Sequence, residues 1–277
     1  MRKLFIALAA IGAAALIVGI TMYAESEAEL EKERREYAAL ADEFVIIDPP
    51  VDEGSLLEWA GYTGGHGGKP DAEERGRTLI KVDFDSLQEI NPDAAGWILI
   101  KGTPVNYPIM QAGNNSHYLG RSFYGERSNS GAVFADYRID IDESPVVVLY
   151  GHNMGRSETT QFSSLRGYEN IEYLEAHPEA IIATPGGGAS AWRVFAAVHA
   201  DSTSAADVRR FYKGGFEDED EFDRFLADVA DRRFYDSGIG PSYGDRILTL
   251  STCVSGRRHM RMVVYAYQER QLHRPPA

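Results

Sequence analysis

The chain is nearly devoid of cysteine: Cys253 is the only one among 277 residues. One thiol cannot build an intramolecular disulfide framework. Excess positive charge is also missing. The formal net charge is −14, which argues against a nucleic-acid-binding protein, for which a basic stripe is expected. No internal repeat is visible, and after the N-terminal segment no second long apolar run occurs.

The single long apolar run lies at the N-terminus. Arg2 and Lys3 precede an uncharged stretch from Leu4 to Ala24, and Glu25, Glu27 and Glu29 follow it. At about 1.5 Å rise per residue, such a stretch spans a hydrocarbon core of about 30 Å. A cleaved signal has a shorter apolar core, roughly 7 to 15 residues, and Met22-Tyr23-Ala24 is a poor small-x-small cleavage site. Residues 1–24 are therefore expected to be an uncleaved membrane anchor. Basic residues before the span and acidic ones after it place the N-terminus in the cytoplasm and the remainder outside the cell. Outside the cell, cysteines are normally paired, so a lone thiol there is either a buried small hydrophobe or a reactive group.

Residues 25–44, "ESEAELEKERREYAALADEF", are rich in Ala, Glu, Lys and Arg, with Glu31 and Arg35 one turn apart. They read as a solvated helical stalk without a heptad seam. Residues 45–77 have linker composition, with Pro49-Pro50 and "GYTGGHGGKP". A folded domain is expected over 78–270, large enough for one sizeable core, followed by a polar tail at 271–277. Within it, Asp83 to Asp93 reads as a short helix stopped at Asn91-Pro92. Eight short apolar or alternating runs follow: Trp97 to Ile100, Asn106 to Gln111, Gly131 to Ala135, Val146 to Tyr150, Ala180 to Thr184, Ala191 to Ala200, Arg246 to Ser251 and Arg261 to Tyr267. Eight strands with few helices between them predict a mostly β protein, a barrel or sandwich. One helix interrupts the series, with Phe222, Phe225, Leu226 and Val229 on one face. Its acidic start, Glu217 to Glu221, suits a helix N-terminus and lacks the regularly spaced ligands of a calcium loop.

A thiol becomes a nucleophile as the thiolate, which needs a base or nearby positive charge. His152 ends the apolar strand "VVVLYGHNM", and Arg261 opens the final strand. Histidine exchanges protons near neutral pH, whereas arginine keeps its proton and serves as a fixed donor to an oxyanion. Chain order separates this set from papain-like peptidases, in which the cysteine precedes its histidine by many residues. Only His259 and His273 follow Cys253, one in the same short loop and one in a proline-flanked tail.

"TLSTC" followed by an arginine on the next strand, and preceded by "YGHNM", resembles the sortases, membrane-anchored cysteine transpeptidases of bacterial cell walls. The segments "GWILIKGTPVNYPIMQAGNNSHYLGRSFYGERSNSGAVFAD" and "RRFYDSGIGPSYGDRILTLSTC" resemble class B members, and the likeness runs roughly from Val82 to Glu269. It implies an eight-stranded sortase-type β-barrel with a few peripheral helices. By motif, it implies Cys253 as nucleophile, His152 as general acid and base, and Arg261 as oxyanion donor. Arg257 and Arg258 are alternatives for the last role. It further suggests that Asn115, Tyr150 and Ser251 line the substrate groove. Each also has a plainer reading, as a turn amide, a barrel-core ring and a locally bonded hydroxyl. His117, His177 and His199 match no part of the set and read as surface or packing residues.

The implied partners are secreted proteins carrying a C-terminal sorting signal of the NPxTx or xPxTG-like kind. The implied acceptor is an amine of a peptidoglycan cross-bridge or lipid II, or a pilin lysine. No cofactor or metal is called for. The polar tail without a second anchor weighs against a class C pilin polymerase, but class B-like pilin polymerisation stays open. A hydrolytic thiol peptidase and an inert membrane-tethered binding module on the same barrel are the other readings.

Overall fold

The computed structural model describes residues 2–48, 79–155 and 160–273. The chain divides into two compact units, Met1–Leu40 and Ala41–Ala277. Helix α1 (Arg2–Phe44) supplies the first and runs unbroken from the apolar run into the charged segment. It contains one apolar window of membrane-spanning length. Ile11, Leu16, Ile17 and Ile20 are exposed on it, an arrangement that water disfavours and hydrocarbon does not.

The second unit opens on a short antiparallel pair, β1 (Val45–Asp48) with β2 (Leu79–Val82), in which Val45 faces Val82 and Asp48 faces Leu79. The sequence reading placed Val45 to Asp48 in the linker. The β-branched triplet Val45-Ile46-Ile47 instead finds a strand partner, while the remainder of the expected linker lies outside the described residues. Helix α2 (Phe84–Ile90) follows, capped by Asp83, whose carboxylate accepts from the Ser86 backbone N–H and hydroxyl. It ends at Asn91, ahead of Pro92, as the sequence reading expects, and buries Leu87 completely.

Eight strands then form a closed barrel: β3 (Ala94–Ile100), β4 (Asn106–Met110), β5 (Phe134–Ala135), β6 (Val146–Tyr150), β7 (Glu179–Thr184), β8 (Gly188–Asp201), β9 (Ile247–Val254) and β10 (Arg257–His273). Their order around the barrel is β10, β8, β7, β3, β4, β5, β6, β9. The β4–β5 and β6–β9 pairs are parallel and the others antiparallel. Closure leaves no barrel edge unpaired, which solves the aggregation problem of an open sheet.

Two helices escape the sequence reading: α3 (Ile171–Ala176) and α4 (Ala205–Phe211). Each is too short to show a helical period, and the legible signals are their caps, Asn170 and Ser204. Helix α5 (Glu219–Arg232) is the amphipathic helix expected from sequence. Asp218 caps it, and the Glu221 carboxylate is taken up by Lys213 and the Glu217 backbone N–H. Phe222, Phe225 and Val229 pack on Val146, Val148, Ile247, Val263 and Tyr265 of the barrel wall. The Phe225 ring meets Tyr265 edge-on at 5.4 Å between centroids. Phe225→Ala should therefore lower stability by about 3–5 kcal/mol, read as a fall in urea midpoint at unchanged slope.

Candidate active site

Three neighbouring strands bring the chemistry to one rim. Strand β6 runs parallel to β9 with Tyr150 opposite Ser251, and the Gly151 N–H continues the ladder to the Ser251 carbonyl at 3.1 Å. His152 therefore leaves β6 beside the position of Cys253. On the other side of β9, Cys253 pairs directly with Arg261 of β10. Adjacent strands lie about 5 Å apart, so His152, Cys253 and Arg261 occupy one short row across the sheet.

Backbone contacts fix the imidazole. The His152 Nε2 lies 2.8 Å from the Leu119 carbonyl. A carbonyl only accepts, so this nitrogen carries a hydrogen and Nδ1 is the nitrogen left to exchange a proton. Gly131 is required nearby: its φ is +59°, and a Cβ there would stand 2.5 Å from the Tyr118 carbonyl, 3.0 Å from that of Leu119 and 3.1 Å from the imidazole Cδ2.

Asn153 ties the two sequence-distant strands together. Its Nδ2 donates to the Cys253 carbonyl at 2.7 Å, while its Oδ1 accepts from the Gly155 N–H. Asn153→Ala removes this tie and should lower stability by about 1 kcal/mol, read as a fall in urea midpoint at unchanged slope.

Arg261 is aimed by a bulge. Arg257 pairs with Val254 and Arg261 with Cys253, so β10 spends three extra residues, Arg258 to Met260, between these pairs. Bulges of this kind bend a strand and re-aim its side chains. Arg261 Nη1 donates to the carbonyls of Arg258 and Met260, both at 3.2 Å, and the side chain lines the cavity described next. Arg257 and Arg258 are exposed at the start of β10, and neither pairs with Cys253.

A cavity of about 320 Å³ is bounded by Asn115, Tyr150, His152, Ser251, Cys253 and Arg261, together with Leu119, Phe134, Gly151 and Thr252. All six residues singled out from sequence thus meet at one cavity. Asn115 donates from Nδ2 to Asp136 and accepts the Tyr137 N–H at Oδ1, each at 2.9 Å, so it combines the turn-amide reading with a place in the wall. The Tyr150 hydroxyl donates to Asp136 at 3.1 Å. The Ser251 hydroxyl is 2.8 Å from that of Tyr212.

Asp136 and Tyr212 were not singled out from sequence. Asp136 follows β5 and is 1% exposed, so its charge has lost nearly all water. That burial pushes its pKa up, but hydrogen bonds from Arg138 and Asn115 outweigh it and hold the carboxyl down at about 2, from 3.8. The resulting contribution, roughly 2 kcal/mol, is complete above about pH 4 and is lost as pH falls through about 2. Urea midpoints measured from pH 5 to pH 2 should fall more steeply in the wild type than in Asp136→Asn. Burial likewise pushes the Tyr212 phenol up to about 12, against the hydrogen bond from Ser251 and the nearby Arg261 charge.

His117, His177 and His199 are engaged elsewhere, His117 against the Tyr118 ring, His177 with the Lys101 carbonyl at 3.0 Å, and His199 with Glu169 at 3.1 Å. A second cavity, of about 590 Å³, also reaches Cys253 and is bounded by Asn153, Arg166, Glu169, Tyr173, Val254 and Met262 among others. The thiol strand thus borders two separate cavities.

A family model described as the sortase domain matches residues 98–269. Sortase B of Staphylococcus aureus is 31% identical over 175 residues, covering 63% of this chain and 68% of that protein. Sortase B of Listeria monocytogenes is 32% identical over 180 residues, with coverage of 63% and 68%. The structure of a Staphylococcus aureus sortase B-substrate complex superposes with a TM-score of 0.65 at 26% identity, covering 86% of this chain and 96% of that one. Clostridium perfringens sortase B superposes with a TM-score of 0.61 at 28% identity, covering 68% and 100%.

Proposed function

Since the chain belongs to the sortase family and its relatives are sortase B enzymes, we propose that it cleaves a C-terminal sorting signal after threonine and joins the acyl group to a cell-wall amine. The observation that carries this reading is the row formed by His152, Cys253 and Arg261 across β6, β9 and β10, at the edge of the 320 Å³ cavity. Sorting peptides of the NPxTx or xPxTG-like kind are the proposed donors. Amines of a peptidoglycan cross-bridge or lipid II are the proposed acceptors.

The chemistry follows from the geometry. Cys253 passes its thiol proton to His152 and, as the thiolate, attacks the threonine carbonyl carbon, forming a C–S bond and an oxyanion that the Arg261 guanidinium stabilises. Collapse breaks the C–N bond, and His152 delivers a proton to the departing amine, leaving a thioester on Cys253. The acceptor amine then attacks the same carbon, gives its proton to His152, and expels the thiolate. One amide replaces another, so the reaction needs no external energy source. The second cavity offers the acceptor a path to the thioester distinct from the donor groove.

The apolar N-terminal helix would hold the barrel at the membrane with its N-terminus in the cytoplasm, where secreted proteins emerge on the opposite side. The test uses the full-length chain in detergent micelles with NPQTN, NPKTG, SPKTG and LPETG peptides, with and without amine, read by intact mass. A thioacyl adduct on Cys253 and amide product only with added amine is the expected result. Threonine-terminated product formed equally with or without amine indicates a hydrolase. A reactive thiol that takes up none of the peptides indicates a binding module.

A further inference from the structure

Two walls of the thiol cavity hang from one carboxylate that does not itself line it. Asp136 collects five polar hydrogens: the Arg138 backbone N–H, Nε and Nη2, the Asn115 Nδ2–H and the Tyr150 O–H. We propose that Asp136 is a positioning residue, which sets the polarity of the donor groove by holding Asn115 and Tyr150 in one orientation each. This inference rests on the groove's being the site for the acyl-donor peptide, as proposed above.

The argument turns on what a carboxylate cannot do. An ionised carboxylate only accepts, so Asn115 must present its NH₂ to Asp136 and cannot turn its carbonyl oxygen there. The Tyr137 N–H enforces the same choice from the other side, by donating to Asn115 Oδ1. One N–H and one lone pair of the Asn115 amide are thereby committed, and one of each is left for a ligand. The Tyr150 hydroxyl spends its single hydrogen on the same carboxylate oxygen, so toward a ligand it can only accept. Arg138 is what makes this anchor persist. Its guanidinium forks onto both carboxylate oxygens at 2.8 and 2.7 Å, which balances a charge buried at 1% exposure.

Other arrangements of the same residues would lose this property. An asparagine at position 136 has nearly the same shape but brings an NH₂ of its own. That NH₂ meets donors on either side, Arg138 N–H and Nε at one oxygen position or Arg138 Nη2, Asn115 and Tyr150 at the other, so the five-hydrogen anchor that orients Asn115 and Tyr150 is broken. The cysteine, histidine and arginine are not in contact with position 136 through any bond described, so the chemical step is spared.

The test compares Asp136→Asn with the wild type, in an Asn115 and in an Asn115→Ala background, using the full-length chain and the peptide that gives the most adduct. Asp136→Asn should raise KM for the peptide about tenfold and change kcat less than about twofold. The rate of Cys253 alkylation by iodoacetamide should stay unchanged. In the Asn115→Ala background, the same substitution should add much less to KM, because the two residues act through one contact. Equal increments in both backgrounds overturn the inference. So does a lower fraction of titratable thiol at unchanged KM, the signature of a purely structural role.

If Asp136→Asn does not fold, Arg138→Gln decides, because the Arg138 side chain is 63% exposed and its truncation opens no cavity. It should raise KM about threefold at little-changed kcat, and an unchanged KM overturns the inference. A wild type that forms no acyl-enzyme with any peptide removes both the functional reading and this one. Wild-type turnover with additive effects removes this one alone.

Discussion

Cys253→Ala is expected to abolish covalent capture of a sorting peptide and to lower amide transfer by about 10⁴-fold or more. The reason is chemical rather than structural. Cys253 lies near the end of β9 and is half-buried, and alanine keeps the strand, its pairing with Arg261 and the Asn153 bond to the backbone carbonyl. Single-turnover intact-mass analysis reads the effect directly, since no other thiol exists in the chain. A persistent acyl adduct on the variant would move the nucleophile to a hydroxyl. Cys253→Ser sharpens the result, because a serine hydroxyl in the same place stays protonated and should leave transfer nearly as low.

His152→Ala should lower kcat by about 10²- to 10⁴-fold while leaving peptide KM within a few-fold. The imidazole is held through Nε2 by the Leu119 carbonyl, so the exchangeable nitrogen is the one turned away from it. On the proposed mechanism, removing the ring removes the proton donor for the departing amine and the acceptor for the incoming one. Gly131→Ala tests the same point without touching the ring. Its Cβ would press on the Tyr118 and Leu119 carbonyls and on the imidazole itself, so it should lower kcat in the same direction by a smaller factor. Stopped-flow or quenched-flow measurement of acyl-enzyme formation separates these effects from binding. A His152→Ala enzyme with unimpaired acylation would assign the proton transfer to another group.

The barrel and the row of three residues were legible because each rests on a strand-length signal. Val146 to Tyr150 and Ile247 to Leu250 are apolar runs that the barrel buries, and the motif ends of those runs carry His152 and Cys253. Strand limits were less legible. β5 pairs over Phe134–Ala135 alone, although the apolar pattern begins at Gly131, because Gly131 takes a positive φ and the Ala132 N–H goes to the Tyr118 carbonyl rather than to a strand partner. β10 extends to His273 through "QERQLH", which reads as a polar tail, because β8 runs alongside it as far as the pairing of Ala189 with His273. Asp136, Tyr212 and the Leu119 carbonyl were hidden for a different reason. Their roles come from contacts across 14 to 39 residues, Tyr150 to Asp136, His152 to Leu119 and Tyr212 to Ser251, and no local periodicity reports those.

The parallel contact between β6 and β9 also bears on how the molecule comes into being. Asn153 and Cys253 are 100 positions apart in the chain, yet bonded in the finished barrel. A chain that must close so wide a loop before that contact rewards it folds slowly, because the entropy is lost first. During that interval Cys253 is an ordinary thiol on an open chain, with neither the imidazole nor the guanidinium beside it. On the proposed mechanism, the set of groups that transfer would require is therefore assembled only as the barrel closes, and an unfolded chain carries none of it.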